Sequence, residues 1–476
     1  MARSYRRGIS VRRVPQYVAC ALFILLCAAM LNAQSARHDR GPRLGPAWAG
    51  GPFPGFSAPS QHVFAGALDK FKKDDSASET IENSGAAKIK TVFVIAMENH
   101  NWTQPENKFT GGIQQIYQNV NAPFINGLVN GTAFVVLDGS EVNISHEVAY
   151  ATAYHNVLAT PSGNNPHIHP SEPSYIWAEA GDNFGVLNDN DPYRASGGTN
   201  QDTTDHLSSF LTRAGKTWRS YQEDTDLTRD GAGQLTNVPL PQGLWTVPLT
   251  SFSGVFAIGN FNDYNFSPQY NYAAKQNPMV FFTDTNGGNN ATPSNPLSTQ
   301  YAPLQQLAID LADDNVADYN WITPNQYNDM HTAISGGYKG LTGDEAKIRQ
   351  GDDFLSQIVP MIMESKAYKN HGVIILWWDE SERDGVAGDN PDDFNHTIGE
   401  IIISKHAHKN VNGLPYASPV EFTHSSDLRT MQEIFRVGPF LRDAANANDL
   451  SDLFEQGAIP HIPRFERDSS SDGKHQ

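Results

Sequence analysis

The sequence predicts an α/β fold in which a mostly parallel sheet lies between layers of helices. Continuous apolar runs of strand length, rich in β-branched residues, occur at 91–97, 373–378 and 400–404. Helical patterns separate these runs along the chain, and polar residues follow two of the runs directly. Such runs are typical of parallel strands that are buried on both faces, and their alternation with helices is typical of βαβ units.

Residues 1–33 are predicted to be a secretory signal peptide. A segment with five arginines precedes an apolar run at 18–31, and Ala33 is the expected cleavage site. The run is shorter than the roughly 20 residues of a membrane-spanning helix, so we expect no membrane span after cleavage. Cys20 and Cys27, the two cysteines of the chain, lie in this segment. We therefore expect an exported protein, periplasmic or secreted, without thiol chemistry.

The rest of the chain is predicted to contain one catalytic domain with flanking segments. Residues 34–88 begin with a stretch rich in Gly, Pro, Ser and Ala, which predicts a flexible linker. The domain is expected to cover 89–445 and to be followed by a C-terminal tail at 446–476. Within it, residues 225–300 have little periodicity and predict a loop-rich insertion over the site.

Weaker patterns complete the predicted sheet and its helices. Further strands are expected at 279–282 and 320–323, and helices at 203–214, 303–313 and 352–366. The insertion has a dense set of aromatic residues, which would either pack a small core of its own, the favoured interpretation, or form a platform for lipid. These aromatic residues are Phe252, Phe256, Phe261, Tyr264, Phe266, Tyr270 and Tyr272.

The charge balance excludes one class of partner. The chain has 34 Lys and Arg against 52 Asp and Glu, a formal net charge of -18. Binding to duplex nucleic acid requires a basic surface for the phosphates, so we expect no duplex partner.

Acidic and amide side chains follow two predicted strands. Glu98 and Asn99 come directly after the run at 91–97, and Asp379 and Glu380 follow the run at 373–378. The carboxyl ends of parallel strands meet at one edge of the sheet, where ligands of α/β proteins bind. Oxygen ligands that converge there suit a hard divalent cation. Taken singly, each acid could also be a helix N-terminal or loop residue.

Two loops add histidines to these candidates. Asp329 and His331 lie in the loop after the strand at 320–323, where they would suit a metal ion or form an Asx turn. His167 and His169 precede Ser171, which is predicted to lie near the N-terminus of a helix. That position favours a phosphate ligand, although Ser171 could instead be a simple N-cap.

These segments resemble the phosphoesterase family of bacterial and fungal acid phosphatases and bacterial phospholipases C, within the alkaline phosphatase superfamily. The resemblance covers about residues 90 to 440 in family order, and the segment at 169–175 resembles the nucleophile segment of the family. Ser174 and Gln276 depart from the pattern, which has asparagine and histidine there. The similar segments are FVIAMENHNW, NAPFINGL, HPSEPSY, PNQYNDMH, GDDFL, VIILWWDESE and THSSDLRTMQEIF.

The resemblance implies an alkaline phosphatase-like fold and a metal-dependent site. Ser171 would be the nucleophile, and His167 or His169 could protonate the leaving oxygen. Four residues would bind a metal that also contacts the serine oxygen: Glu98, Asn99, Asp379 and Glu380. Three more match positions for a second metal or for the phosphoryl group: Asp329, His331 and His424. Oxygen ligands favour Ca, Mg or Mn, whereas the histidines favour Zn or Fe.

The expected activity is hydrolysis of phosphate monoesters of the acid phosphatase type through a phosphoserine intermediate. A phospholipase C-like phosphodiesterase is the alternative, so the substrate would be a small phosphate ester or a phospholipid headgroup. A phosphate- or glycan-binding protein without turnover is a further alternative, which intact Ser171 disfavours.

Overall fold

An eight-stranded sheet forms the centre of the protein in the computed structural model. The structure describes residues 89–460 except for 106–108, 110–111, 157–168, 194–196 and 384–394. In these ranges the strands are β1 Thr91–Met97, β2 Phe134–Leu137, β3 Ser140–Asn143, β4 Val148–His155, β5 Trp218–Gln222, β6 Leu227–Arg229, β7 Leu235–Pro239, β8 Phe252–Val255, β9 Gln269–Tyr272, β10 Tyr301–Pro303, β11 Tyr319–Thr323, β12 Gly372–Trp378, β13 Glu400–Ser404 and β14 Tyr416–Thr423. The order in the central sheet is β10-β5-β11-β1-β12-β13-β4-β14.

The central sheet is mostly parallel, as the sequence predicts. β1 lies in its interior and pairs in parallel with both β11 and β12. β5 and β10 continue the parallel arrangement beyond β11, and β14 is parallel to β4 at the other edge. β13 is the reversed strand, because it pairs antiparallel with both β12 and β4.

Helices cover both faces of this sheet. Val94 of β1 lies at a small cavity with Leu428 and Met431 of a C-terminal helix. Met97 points to the opposite face of β1, since side chains alternate along a strand. There it approaches Gly351 of the helix Gly343–Met363. The Cε of Met97 lies 2.9 Å from the position that a Cβ on this glycine would occupy. The helices are α1 Pro123–Asn130, α2 Ser171–Ala180, α3 Leu207–Arg213, α4 Gln305–Ala312, α5 Gly343–Met363, α6 Lys366–Lys369 and α7 His424–Phe435.

The predicted strands at 91–97, 320–323, 373–378 and 400–404 are confirmed. The strand expected at 279–282 is wrong. Met279, Val280 and Phe281 lie in the 3-10 helix Pro278–Phe281, where Pro occupies the first turn and all four side chains are buried. Phe282 forms only an isolated bridge with Gln201. An apolar run in the sequence indicates a buried segment, but burial alone does not distinguish a strand from a helical turn.

The three predicted helices are present with different bounds. The first spans only Leu207–Arg213, and the second spans Gln305–Ala312. The third begins at Gly343, nine residues before the predicted start, because its first turns are polar and lack the apolar period. The packed core also continues beyond residue 445, since Leu450 and Leu453 are buried in it.

The segment at 225–300 contains two short hairpins. β6 pairs with β7, and β8 pairs with β9. Phe256 packs with Leu227 and Leu235 in a small separate core, and Tyr270 packs against it. These contacts agree with the favoured interpretation of the aromatic residues, in which they pack a core of the insertion. Phe266, in contrast, is 55% exposed.

No helix among the described residues is long and apolar enough to cross a membrane. The predicted signal peptide at 1–33, the linker at 34–88 and His167 lie outside the described residues, as does the tail from 461 onward.

Candidate active site

The carboxyl ends of β1 and β12 bring together the acids that follow them. The two strands are neighbours, and Met97 is in register with Trp378. The backbone N–H of Asn99 donates to Asp379 Oδ1 at 3.1 Å. Asn99 has a positive φ of 43°, a conformation that asparagine adopts more readily than most residues. The chain therefore turns sharply at this point, and the predicted convergence of the two strand ends is present.

Ser171 lies at the centre of these acids. It is the first residue of α2, and it follows the N-cap residue Pro170. Its Oγ lies 2.9 Å from Glu380 Oε1 and 3.1 Å from Glu98 Oε2. The serine is completely buried. The side chain is thus directed at carboxylates from two strand ends, and not at the backbone of its own helix.

Burial makes the charges of this cluster costly. It raises the pKa of Glu98 to about 7, although Lys275 and a hydrogen bond from Tyr175 act in the opposite direction. Burial also raises the pKa of Asp379 well above its usual value, and the nearby Glu98 and Glu380 raise it further. The Tyr175 hydroxyl donates to Glu98 Oε1 at 2.7 Å. Carboxylates packed this closely need a positive group to remain ionised together.

The loop after β11 brings Asp329 to the same place. Its backbone oxygen accepts the N–H of Glu98 at 2.8 Å, and its Oδ1 accepts the N–H of His331 at 2.7 Å. The His331 Nδ1 lies 2.9 Å from the hydroxyl of Thr332. Burial and, secondarily, Lys275 lower the pKa of His331 to about 3, which keeps the imidazole neutral.

Two more of the predicted site histidines, His169 and His424, contact this cluster. His169 Nδ1 contacts Glu380 Oε2, and its Nε2 lies 3.4 Å from Asn156 Nδ2. His424 Nε2 lies 2.5 Å from the backbone oxygen of Asp379, and its Nδ1 lies 3.0 Å from the Tyr154 hydroxyl. Both nitrogens of His424 therefore have protein partners, and burial lowers its pKa to about 3. In this arrangement His169 contacts the carboxylate of Glu380, whereas His424 contacts the backbone of Asp379.

Lys275 and Asp189 are site residues that the sequence did not predict. Lys275 Nζ lies 3.5 Å from Ser171 Oγ and 3.1 Å from Asp189 Oδ2. Burial lowers the pKa of Lys275, but Glu98 and Asp189 raise it by more, so its net pKa lies above the usual value. The available signal was the lysine beside Gln276 in a segment that resembles a family block. Gln276 itself is completely buried.

Glu223 is a third residue whose role the sequence did not predict. It is completely buried and accepts the N–H of Asn325 at 2.8 Å and the amide of Asn328 at 2.8 Å. It also accepts the amide of Asn262 from the insertion at 2.5 Å. Glu223 therefore connects the insertion to the loop that carries Asp329.

The chemistry of these side chains fits a cation. Among the described residues, no three His, Cys, Asp or Glu side chains are already arranged as a ligand set for a metal ion. Asp329 Oδ2 and Asp379 Oδ2 are nevertheless buried without a hydrogen-bond partner. A hard divalent cation prefers carboxylate and amide oxygens, which is the donor set at this edge of the sheet. The residues of the site therefore fit a divalent cation in the type of their donor atoms and in their charge.

The sheet and site define an α/β protein with a buried serine among carboxylates at the carboxyl edge of parallel strands. The chain belongs to the phosphoesterase family, whose model matches residues 61–438. This result confirms the family that the sequence motifs indicate.

Two curated relatives are similar to part of the chain. A probable acid phosphatase of Kluyveromyces lactis is 24% identical over 223 residues, 46% of this chain and 39% of that protein. An acid phosphatase of Aspergillus fumigatus is 26% identical over 240 residues, 49% of this chain and 40% of that protein. Each match spans about two fifths of the relative. A solved structure of an alkaline phosphatase superfamily protein from Vibrio parahaemolyticus has a TM-score of 0.37 and 10% identity, covering 85% of this chain and 80% of that one.

Proposed function

We propose that this protein hydrolyses phosphate monoesters, in the manner of an acid phosphatase, with Ser171 as the nucleophile. The observation that carries the proposal is the position of Ser171 Oγ, at the start of α2 and within 3.1 Å of carboxylates from two strand ends. The N-terminus of a helix favours bound phosphate, and adjacent carboxylates accept the hydroxyl proton. Family membership and the names of the two curated relatives support the same activity.

The reaction would proceed in two displacements. Ser171 Oγ forms a bond to phosphorus and the ester oxygen leaves, while the hydroxyl proton leaves its hydrogen bond to Glu380 Oε1, 2.9 Å long, and passes to solvent. The leaving oxygen takes one proton from solvent. Water then forms a bond to phosphorus, the bond to Ser171 breaks, and the serine oxygen takes a proton from solvent. The attacking water releases one proton to solvent, which balances the proton taken up by the serine.

We further propose that activity depends on a divalent metal ion held by Glu98, Asn99, Asp379 and Glu380. The buried Asp379 Oδ2 without a hydrogen-bond partner supports this assignment. When bound, the metal would act as a Lewis acid that favours the serine alkoxide. His169 would hold Glu380 in place through the contact of its Nδ1. Asp329 and His331 are proposed to face the phosphoryl side of the site, whereas His424 would support Asp379.

The test is hydrolysis of an aryl phosphate monoester by the purified full chain, beside Ser171→Ala and a control, Ser145→Ala. Ser145 donates to the backbone of Gly413, away from the site. We expect Ser171→Ala to lose at least about a thousandfold in kcat and the control to keep full activity. Full activity of Ser171→Ala would reject the nucleophile, and full activity after exhaustive chelation would reject the metal.

A phospholipase C-like phosphodiesterase is the second candidate. Exposed apolar side chains on the insertion favour it, since Val255, Ile258 and Phe266 are 59%, 100% and 55% exposed. The matching aryl phosphate diester decides between the two activities, because a higher kcat/KM for the diester would replace the monoesterase proposal. No turnover of either ester by folded, metal-loaded protein would favour the binding protein without catalysis.

Export is proposed from the basic and apolar pattern of residues 1–33 alone. N-terminal sequencing of the mature protein tests it, with a new terminus after Ala33 as the expected result.

A further inference from the structure

Lys275 places an ammonium group beside the candidate nucleophile. Its Nζ lies 3.5 Å from Ser171 Oγ, and its side chain is only 13% exposed. The lysine belongs to the short 3-10 helix Ala274–Gln276 of the insertion, which packs against α2. The insertion therefore supplies a charged group to a site whose nucleophile comes from α2 and whose carboxylates come from the sheet edge.

Asp189 determines where this ammonium points. Its Oδ2 accepts from Lys275 at 3.1 Å, and its Oδ1 accepts the backbone N–H of Glu172 at 3.2 Å. Asp189 thus links the lysine to the first turn of the helix that begins with Ser171. An ammonium has three N–H donors. Two are directed at Asp189 and Ser171, which leaves one for a ligand bound above the serine.

The electrostatics of the site favour such a group. Ser171 Oγ lies within 3.1 Å of oxygens of Glu98 and Glu380, and these carboxylates repel an approaching phosphate anion. Lysine binds phosphate as a point charge, and a fixed positive charge is most effective in a site that excludes water.

We propose that Lys275 binds a non-bridging oxygen of the phosphoryl group during its transfer, and that Asp189 is the positioning residue for Lys275. This inference rests on the proposed function, since it takes Ser171 as the attacked position. Lys275 stays protonated and transfers no proton. It stabilises the negative charge on the phosphoryl oxygens, while the bonds to phosphorus form and break as described above.

Binding of inorganic phosphate, measured by calorimetry on the full chain, tests the proposal without requiring turnover. Lys275→Gln should weaken phosphate binding about ten- to a hundredfold, because it removes a charge-assisted hydrogen bond. Asp189→Asn should weaken it less, since the ammonium remains but loses its orientation. Lys216→Gln is the control, because Lys216 pairs with Asp318 at 3.6 Å and is 41% exposed.

A role limited to neutralising Glu98 and Asp379 gives a different result. In that case folded Lys275→Gln would bind phosphate as tightly as the wild type and bind divalent cations more tightly, which would overturn the proposal. If Lys275→Gln does not fold, Lys275→Met and Asp189→Asn carry the test, and unchanged phosphate affinity in both has the same consequence. Wild-type protein that binds phosphate through Lys275 but hydrolyses no ester would reject the proposed function alone.

Discussion

Tyr175 is the residue that holds Glu98 in place. It lies one turn after Ser171 on α2 and donates to Glu98 Oε1 at 2.7 Å, while Glu98 Oε2 faces the serine. Tyr175 is completely buried, with Trp377 of β12 packed edge-on at 5.3 Å between ring centroids. Its hydroxyl has little freedom to move, so one carboxylate oxygen is fixed by the tyrosine and the other is directed at the nucleophile.

Tyr175→Phe should lower kcat/KM about ten- to a hundredfold, because a hydrogen bond to a carboxylate contributes about 1.5–3 kcal/mol. Tyr368→Phe is the matched control. It removes a similar bond from a buried tyrosine to Glu147, 2.5 Å long, outside the site. The control should reduce the unfolding midpoint and keep kcat/KM. Steady-state kinetics on both variants test this, and wild-type kcat/KM in Tyr175→Phe contradicts the positioning role of the tyrosine.

The start of α1 is capped by a residue of another helix. α1 has no side-chain cap of its own. Asp352 of α5 instead accepts the N–H of Ile125 at 2.8 Å and the N–H of Phe124 at 3.1 Å. A carboxylate at this position satisfies two unpaired backbone donors and complements the helix dipole. The cap therefore also fastens α1 to α5 on one face of the sheet.

Asp352→Ala should lower the free energy of unfolding by about 2 kcal/mol, the upper range for loss of a helix cap. The next residue provides the control. Asp353 pairs with Lys339 at 2.6 Å and Arg349 at 3.0 Å, and such surface pairs contribute about 0–1 kcal/mol. Denaturant unfolding of Asp352→Ala and Asp353→Ala measures both. Equal losses would show that the interhelical cap adds nothing beyond an ordinary surface pair.

The whole molecule contains many buried acids whose pKa is raised in the folded state. Burial raises the pKa of Asp352 to about 7 and that of Asp226 to about 6, in each case against hydrogen bonds that lower it. His206 lies between Glu179 and Asp284. Burial lowers its pKa, but the hydrogen bonds to these acids raise it by more. In all three groups the folded protein binds protons more tightly than the unfolded chain.

Stability should therefore fall as the pH rises. Unfolded Asp has a pKa near 3.9 and unfolded His near 6.5. The folded state holds an extra proton on Asp226 from about pH 4 to 6, on Asp352 from about pH 4 to 7, and on His206 above about pH 6.5. The unfolding midpoint should drop by several degrees between pH 5 and pH 8. Calorimetry on the wild type measures the sign of this pH dependence. In Asp352→Asn the midpoint should change less steeply with pH, which tests whether Asp352 is one of its sources. A midpoint that rises over this range contradicts the prediction.

The parts of this molecule that could be predicted are those set by local pattern. β1 and β12 are buried on both faces, so each is an apolar run in the sequence. Because the carboxyl ends of parallel strands lie at one edge of the sheet, the proximity of Glu98 and Asp379 could be predicted. β14 could not be predicted, because buried and exposed residues alternate irregularly along the strand. Its pairing with β4 also includes a register shift. Lys275 lies 104 residues after Ser171 in the sequence. Its position depends on how the whole insertion packs, which no short window of sequence contains.

The site is assembled from two sources. Ser171, Glu98 and Asp379 are fixed by the central sheet and α2, whereas Lys275 arrives on an insertion with a small core of its own. Evolution could therefore exchange the insertion and leave the attacking residue in place. A chimera that carries a related insertion on the same sheet would change how the substrate is held while keeping the same nucleophile. Efforts to engineer new ester preferences would accordingly begin with residues 225–300.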